Sequence, residues 1–348
     1  MTTLADWLAA QNVDADLASV MTTMATASVE IAGVLRQAAI TGQTGLAGHT
    51  NVQGEDQKAL DVISNDIVLN HIGRNPAVSI LVSEELDEAV HLQNQGRYLV
   101  ATDPLDGSSN LDVNVTVGTI FSILDASKGL LQPGSAQLGA GYAAYGPATS
   151  FVITFGPSAA AFTLDEAGVF VLTTEKLAVP AASAEYAINT ARERLWDAAT
   201  RGYVAENVAG ETGPAGKRYN MRWIGSMVAD VHRILLRGGI FMYPLDSENA
   251  AKGGRLRLLY EGNPMALLVK AAGGESTTGQ QSVLDVVPSE IHQRVPVVLG
   301  SADEVARVVV CQGLRPSRLG DLGSGFDDRF SLAIRAWPSW PLPLKSLH

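Results

Sequence analysis

Tyr98-Leu99-Val100-Ala101-Thr102-Asp103-Pro104-Leu105-Asp106-Gly107-Ser108-Ser109-Asn110 starts as an apolar, β-favouring run and ends as a turn that carries two acids. Just upstream, Ala77-Val78-Ser79-Ile80-Leu81-Val82 leads in the same way into Ser83-Glu84-Glu85. Paired as neighbouring strands, these runs deliver Glu84, Glu85, Asp103 and Asp106 to one edge of one sheet. An Asp-Gly pair alone marks a turn, and Glu-Glu after a strand marks a solvated loop. Two successive strands that both end in acids carry more information. Crowded carboxylates repel unless hard cations neutralise them, and an oxygen-only set suits Mg²⁺, or Mn²⁺, rather than zinc. Pro104 fixes φ and removes a backbone donor, which favours Asp103, the Leu105 carbonyl and Asp106 converging on one point. Gly107-Ser108-Ser109 offers amides and hydroxyls to a phosphate oxygen. These are the parts for metal-assisted phosphoryl transfer to water. The two aspartates stand three residues apart, whereas a phosphoaspartate mechanism uses Asp-x-Asp, so direct attack by water is expected.

Outward from this centre, the chain reads as strands alternating with helices. Residues 4–40 form two amphipathic helices, the second running from about Leu17 to Ala39, and a third spans Gln57 to Ile72. Residues 40–58, rich in glycine, read as a mobile loop. Strands are expected at the end of Val113–Leu124, at Ser150–Phe155, in a hairpin over Ala161–Thr174, near Tyr186–Ile188, at Gly239–Pro244 and at Val295–Leu299. Ser226 caps a helix over Met227–Leu236, and another runs from Asn263-Pro264 to Ala272 before Gly273-Gly274. The pattern predicts an α/β (α+β) fold in two halves, residues 1–180 and 181–312, followed by an extension over 313–348 in which Trp337-Pro338-Ser339-Trp340-Pro341 precludes regular structure.

The 348 residues carry a net charge of −11, which argues against whole-protein attraction to nucleic acid or acidic membranes. A single cysteine, Cys311, precludes an internal disulfide. The N-terminus has no charged-then-apolar leader and no run of eighteen apolar residues occurs, so the expected location is the cytoplasm.

Several stretches carry a resemblance to a known family: Asn51–Glu55, Lys58–Asp66, Ser83–Glu85, Asp103–Asn110, Gly225-Ser226-Met227-Val228-Ala229-Asp230-Val231-His232-Arg233 and Leu256–Ala266. The chain resembles the class I fructose-1,6-bisphosphatases of the sugar and inositol phosphatase superfamily over residues 5–312. The resemblance implies a layered α-β-α-β-α sandwich and Mg²⁺-dependent hydrolysis of D-fructose 1,6-bisphosphate to D-fructose 6-phosphate, in gluconeogenesis or the Calvin cycle. Sedoheptulose 1,7-bisphosphate is the alternative or second substrate; a non-catalytic sugar-phosphate-binding regulator is the remote one. By the same resemblance Glu84, Asp103, the Leu105 carbonyl, Asp106 and Glu261 hold two or more metal ions, with Glu55 as a further contact in place of the usual aspartate. Asp61, otherwise an ordinary exposed helix residue, and Glu85 position and deprotonate the attacking water. Asp106, Gly107, Ser108 and Ser109 serve the 1-phosphate. Asn189, Arg222, Met227, Tyr243 and Arg255 serve the sugar and 6-phosphate, with Arg222 supplied across a subunit interface of a homotetramer. Trp223 and Arg192 stand where tyrosine is usual, and Arg255 where lysine is. The stretch Val13-Asp14-Ala15-Asp16-Leu17 lacks the glycine and both threonines of the AMP-binding turn in animal members, which implies weak or absent AMP inhibition.

Overall fold

The computed structural model describes residues 1–43, 45–50 and 56–311. Helices α1 (Leu4–Ala10), α2 (Ala15–Thr41) and α3 (Ala59–Gly73) come first, with a two-stranded ribbon of β1 (Leu46–Thr50) and β2 (Asp56–Lys58) between α2 and α3 in the chain. An eight-stranded sheet follows, made of β3 (Val78–Ser83), β4 (Val90–His91), β5 (Tyr98–Asp106), β6 (Val117–Asp125), β7 (Gly139–Tyr145), β8 (Thr149–Thr154), β9 (Ala159–Leu164) and β10 (Phe170–Thr174). Its order is β10-β9-β8-β7-β6-β5-β3-β4, antiparallel throughout except where β3 runs parallel to β5.

The second half comprises β11 (Glu185–Ala187), α4 (Ala198–Ala209), β12 (Asn220–Met221), α5 (Met227–Arg237), β13 (Ile240–Tyr243), β14 (Leu256–Arg257), α6 (Asn263–Ala271), β15 (Glu275–Thr277), β16 (Arg294–Val295), β17 (Val297–Gly300) and α7 (Ala302–Cys311). Five strands form a sheet in the order β12-β11-β13-β17-β15, and β14 pairs with β16.

Strand alternation explains the layering. On β13, Phe241 packs with α5, α6 and the outer face of the first sheet, at Ile120, Tyr142 and Val152. Its neighbours Ile240 and Met242 turn the other way, onto Tyr203 of α4 and Val305 and Val308 of α7. The first sheet's other face is covered by α1 to α3 through Trp7, Val20, Met24, Leu60 and Val68. The layers are therefore α-β-α-β-α, an α+β fold. Helix α2 is long and apolar enough to cross a membrane by length and composition, but Val20, Met21, Met24 and Ile31 on it are fully buried in this core. Asp14, in the altered turn noted above, caps α2 and accepts the Tyr98 hydroxyl at 2.9 Å.

Several elements depart from expectation. The stretch 40–58 is not loop throughout: Leu46–Thr50 and Asp56–Lys58 pair, while Glu55 lies outside the described residues, as does the 313–348 extension. Gly139-Ala140-Gly141-Tyr142-Ala143-Ala144-Tyr145 has weak strand propensity yet forms a fully buried central strand. Space decides this: a Cβ on Gly139 would meet Met21 Cε at 2.6 Å, and one on Gly141 would meet Phe121 Cζ at 2.4 Å. Helices α4 and α7 also lie outside the sequence expectation. Val-rich α7 is secured by Glu304, buried, whose carboxylate accepts from Tyr203, Tyr219, Lys217 and Arg307.

Candidate active site

The parallel pairing of β3 with β5 places Ser83 beside Thr102, so both strands end at the same edge. The Glu84 amide extends the ladder by donating to Thr102 O at 3.0 Å. On β5, side chains three apart should face opposite ways. They do not here, because the register with β6 slips between Asp103 (opposite Ile120) and Asp106 (opposite Gly118). Three steps on β5 match two on β6, a bulge at Pro104–Leu105 where proline has no amide to give the ladder. The extra residue turns Asp103 and Asp106 to the same side. Thr119 Oγ1 fastens the bulge to Pro104 O at 2.8 Å, and the Leu105 amide donates to Asp103 Oδ1 at 3.0 Å.

Glu261 arrives from far along the chain. A single π turn, Leu258–Gly262, precedes α6 and puts Glu261 inside, where Oε2 accepts the Arg257 amide at 2.5 Å. Asp103, Asp106 and Glu261 are all buried, and one oxygen from each lies within 4.8 Å of the others. Asp106 Oδ2 also accepts Ser226 Oγ at 3.0 Å and the Val228 amide at 2.8 Å, tying the cluster to the start of α5.

Burial dominates the electrostatics. It raises Asp103 well above the carboxylate range, with Glu84, Asp106 and Glu261 adding repulsion. It lifts Asp106 to about 6, against the Val228 and Ser226 donors. Glu261 rises to about 8 despite the Arg257 guanidinium. That guanidinium is buried too, pairing through Nη2 with Glu84 Oε1 at 2.7 Å. One cation beside four acids leaves the cluster under-compensated. Its donors are all oxygens, so the residues fit hard divalent cations.

Around this cluster lies a pocket. Asp61, in the first turn of α3, lines it with Glu85 and Leu105. Asp61 Oδ2 accepts the Lys58 amide at 2.8 Å; burial raises its carboxyl to about 6, and the Lys58 amide and Ser108 hydroxyl restrain the rise. Gly107 is at φ 77°, in the left-handed region, and a Cβ there would stand 2.7 Å from Ser226 Cβ. It opens the 3₁₀ turn of Ser108 and Ser109, which lie on the same wall. Met227, Tyr243 and Arg255 line the pocket as well.

Two expected residues lie off the wall. Asn189 caps the turn Thr190–Leu195 by accepting the Ala191 amide, and Arg222 is half-exposed, paired with Glu185 at 2.8 Å. Arg192, where tyrosine is usual, makes a two-pronged pair with Asp246 at 2.6 and 2.9 Å. Arg257 and Phe241 reach the pocket without having been anticipated. Arg257 lies in the same short run as Arg255, and its period-two spacing was the one available signal.

Comparison with known proteins agrees over nearly the whole described chain. Residues 4–175 match the N-terminal domain family of fructose-1-6-bisphosphatase and residues 179–313 its C-terminal domain family. The class 1 fructose-1,6-bisphosphatase of Shewanella amazonensis is 48% identical over 312 residues, covering 88% of this chain and 98% of its own. That of Hydrogenovibrio crunogenus is 50% identical over 311 residues, covering 87% and 96%. The crystal structure of Leishmania major fructose-1,6-bisphosphatase in holo form superposes with a TM-score of 0.86 at 34% identity, covering 90% of this chain and 99% of that one.

Proposed function

The chain belongs to the fructose-1,6-bisphosphatase family and hydrolyses D-fructose 1,6-bisphosphate to D-fructose 6-phosphate and phosphate; we propose that it does so by direct attack of water in the pocket built around Asp103, Asp106 and Glu261. The observation that carries this reading is the convergence of three buried carboxylates, a Gly-Ser-Ser turn and Asp61 on one cavity. Glu84, Asp103, the Leu105 carbonyl, Asp106 and Glu261 hold the metal, for which we infer two or more Mg²⁺ ions with Mn²⁺ as a substitute. Glu55 serves as an additional contact. Bound divalent cations would supply Lewis acidity, drawing charge from phosphate oxygens and lowering the pKa of water.

The residues of the chain do the rest. The Gly107–Ser109 amides and hydroxyls hold the 1-phosphate with its bridging oxygen turned away from the incoming water. Asp61 and Glu85 orient that water and take its proton; a carboxylate poised near 6 suits the base. Met227 packs on the sugar, and Tyr243 and Arg255, with Asn189 as a further contact, hold the 6-phosphate. Arg255 brings a planar fork able to bind two phosphate oxygens at once. Arg222 of a neighbouring copy completes that subsite in a homotetramer. We place the enzyme in the cytoplasm, in gluconeogenesis or the Calvin cycle, with residues 1–180 and 181–312 as its metal-binding and sugar-binding halves.

The test is phosphate release from fructose 1,6-bisphosphate with Mg²⁺ and with chelator. Full turnover in chelator would overturn the metal-dependent reading.

A further inference from the structure

Trp223 faces the pocket, yet it sits on an exposed strap, Arg222–Gly225, between β12 and α5. Strap segments of this kind are poor places for a binding residue unless something fixes them. Here the backbone is gripped on both sides of the indole. Asp230, fully buried on α5, accepts the Ile224 amide at 3.1 Å and the Gly225 amide at 3.3 Å through Oδ2. Arg233, one turn on, donates to Arg222 O at 3.4 Å. Arg233 is anchored in turn by Glu185 at 2.6 Å and stands 3.6 Å from Asp230 Oδ1. Gly225 takes φ 84°, the left-handed conformation that lets the chain turn sharply into α5. The ring is thereby laid parallel on Phe241, with centroids 5.9 Å apart and planes 6° off, and edge-on to Tyr243 at 5.7 Å. Three aromatic rings thus form a wall beside Arg255.

We propose that Asp230 and Arg233 are positioning residues for Trp223, and that the indole they hold closes the Tyr243–Arg255 end of the pocket and sets which sugar bisphosphates fit. This rests on the assignment of that end to the distal phosphate. A rigid ring fixed from behind limits the space left for an additional carbon. Arg233 does not itself line the pocket, so it acts on substrate recognition through the strap.

The experiment compares the wild type with Arg233→Gln, Arg233→Lys and Trp223→Phe in the presence of Mg²⁺. Arg233→Gln should raise KM for fructose 1,6-bisphosphate about 3- to 10-fold with kcat within about 2-fold, the split expected when binding rather than chemistry is lost. Hydrolysis of fructose 1-phosphate, which has no distal phosphate, should be unaffected by it. Arg233→Lys, which keeps the charge, should recover part of the KM. Trp223→Phe should shift the ratio of kcat/KM between fructose 1,6-bisphosphate and sedoheptulose 1,7-bisphosphate toward the longer sugar. Acrylamide quenching of Trp223 fluorescence, isolated by difference against Trp223→Phe, should increase in Arg233→Gln. An unchanged KM and unchanged quenching in Arg233→Gln overturn the positioning role. An unchanged substrate ratio in Trp223→Phe overturns the specificity role, and decides that point even if Arg233→Gln does not fold. A wild type inactive on fructose 1,6-bisphosphate would instead overturn the underlying function.

Discussion

Asp61 and Arg257 show how single residues acquire roles that their types alone do not confer. Asp61 is an acid in the first turn of a helix, a position where acids are common because they face the positive end of the helix dipole. Burial raises its carboxyl to about 6, which fits a group that must lose a proton and then receive one. Asp61→Asn should lower kcat by about 10²- to 10⁴-fold, the usual weight of a general base, while the thermal midpoint holds or rises because a buried acid has been removed. Steady-state kinetics alongside calorimetry checks both halves. Arg257 is the cation within the acid cluster, pairing with Glu84 at 2.7 Å. Removing one partner of a buried pair typically costs about 3–5 kcal/mol. Arg257→Met should therefore destabilise the metal-free protein strongly in urea unfolding at neutral pH. Added Mg²⁺ should shrink that loss, since it supplies the missing positive charge.

At the scale of elements, the site depends on irregularities in otherwise regular structure. The bulge at Pro104–Leu105 turns two aspartates to one side, and the π turn at Leu258–Gly262 turns Glu261 inward. Helix α5 is held against the first of these. Its Ser226 cap accepts the Ala229 amide, and its Val228 amide donates to Asp106. The close approach of α5 to β6 needs Gly118, where a Cβ would stand 2.4 Å from Ala143 O and 2.6 Å from a Val228 methyl. Gly118→Ala should destabilise the fold by about 1–3 kcal/mol through overpacking, and should weaken Mg²⁺ binding because Val228 is pushed off Asp106. Denaturant titration and isothermal calorimetry read the two effects. A stability loss with unchanged Mg²⁺ affinity would show that α5 and the cluster are uncoupled.

For the molecule as a whole, the buried acids make stability depend on both pH and metal. Asp61 and Asp106 titrate near 6 and Glu261 near 8 in the folded protein, above ordinary carboxylates near 4. As pH rises from about 4, the unfolded chain releases these protons first and the folded chain retains them, so ionisation favours unfolding. The metal-free protein should accordingly melt at a higher temperature near pH 6 than near pH 8. Metal displaces the same protons, so the rise in melting temperature on adding Mg²⁺ should be larger at pH 8. Scanning calorimetry in chelator and in Mg²⁺ at the two pH values checks the sign; a metal-free protein that gains stability toward pH 8 would contradict it.

What the sequence determined by itself was local: β-rich runs that stop at acids, a proline between two aspartates, a glycine-serine turn, a serine cap before an apolar helix. Those features depend on neighbours a few residues away, and so they are legible along the chain. They were enough for the acid edge, for most helices and for the layered α+β class. What only the tertiary structure decided involves distant partners. Gly139 and Gly141 sit within a central strand because Met21 of α2 and Phe121 leave no room there for a Cβ. Val-rich α7 is a helix whose Glu304 is satisfied by three donors from elsewhere in the chain, Tyr203, Lys217 and Tyr219, besides Arg307 of the same helix. Arg257 became the counter-ion of the cluster through a contact with Glu84, far away along the chain. Burial and pairing between remote segments set these outcomes, and no local pattern encodes them.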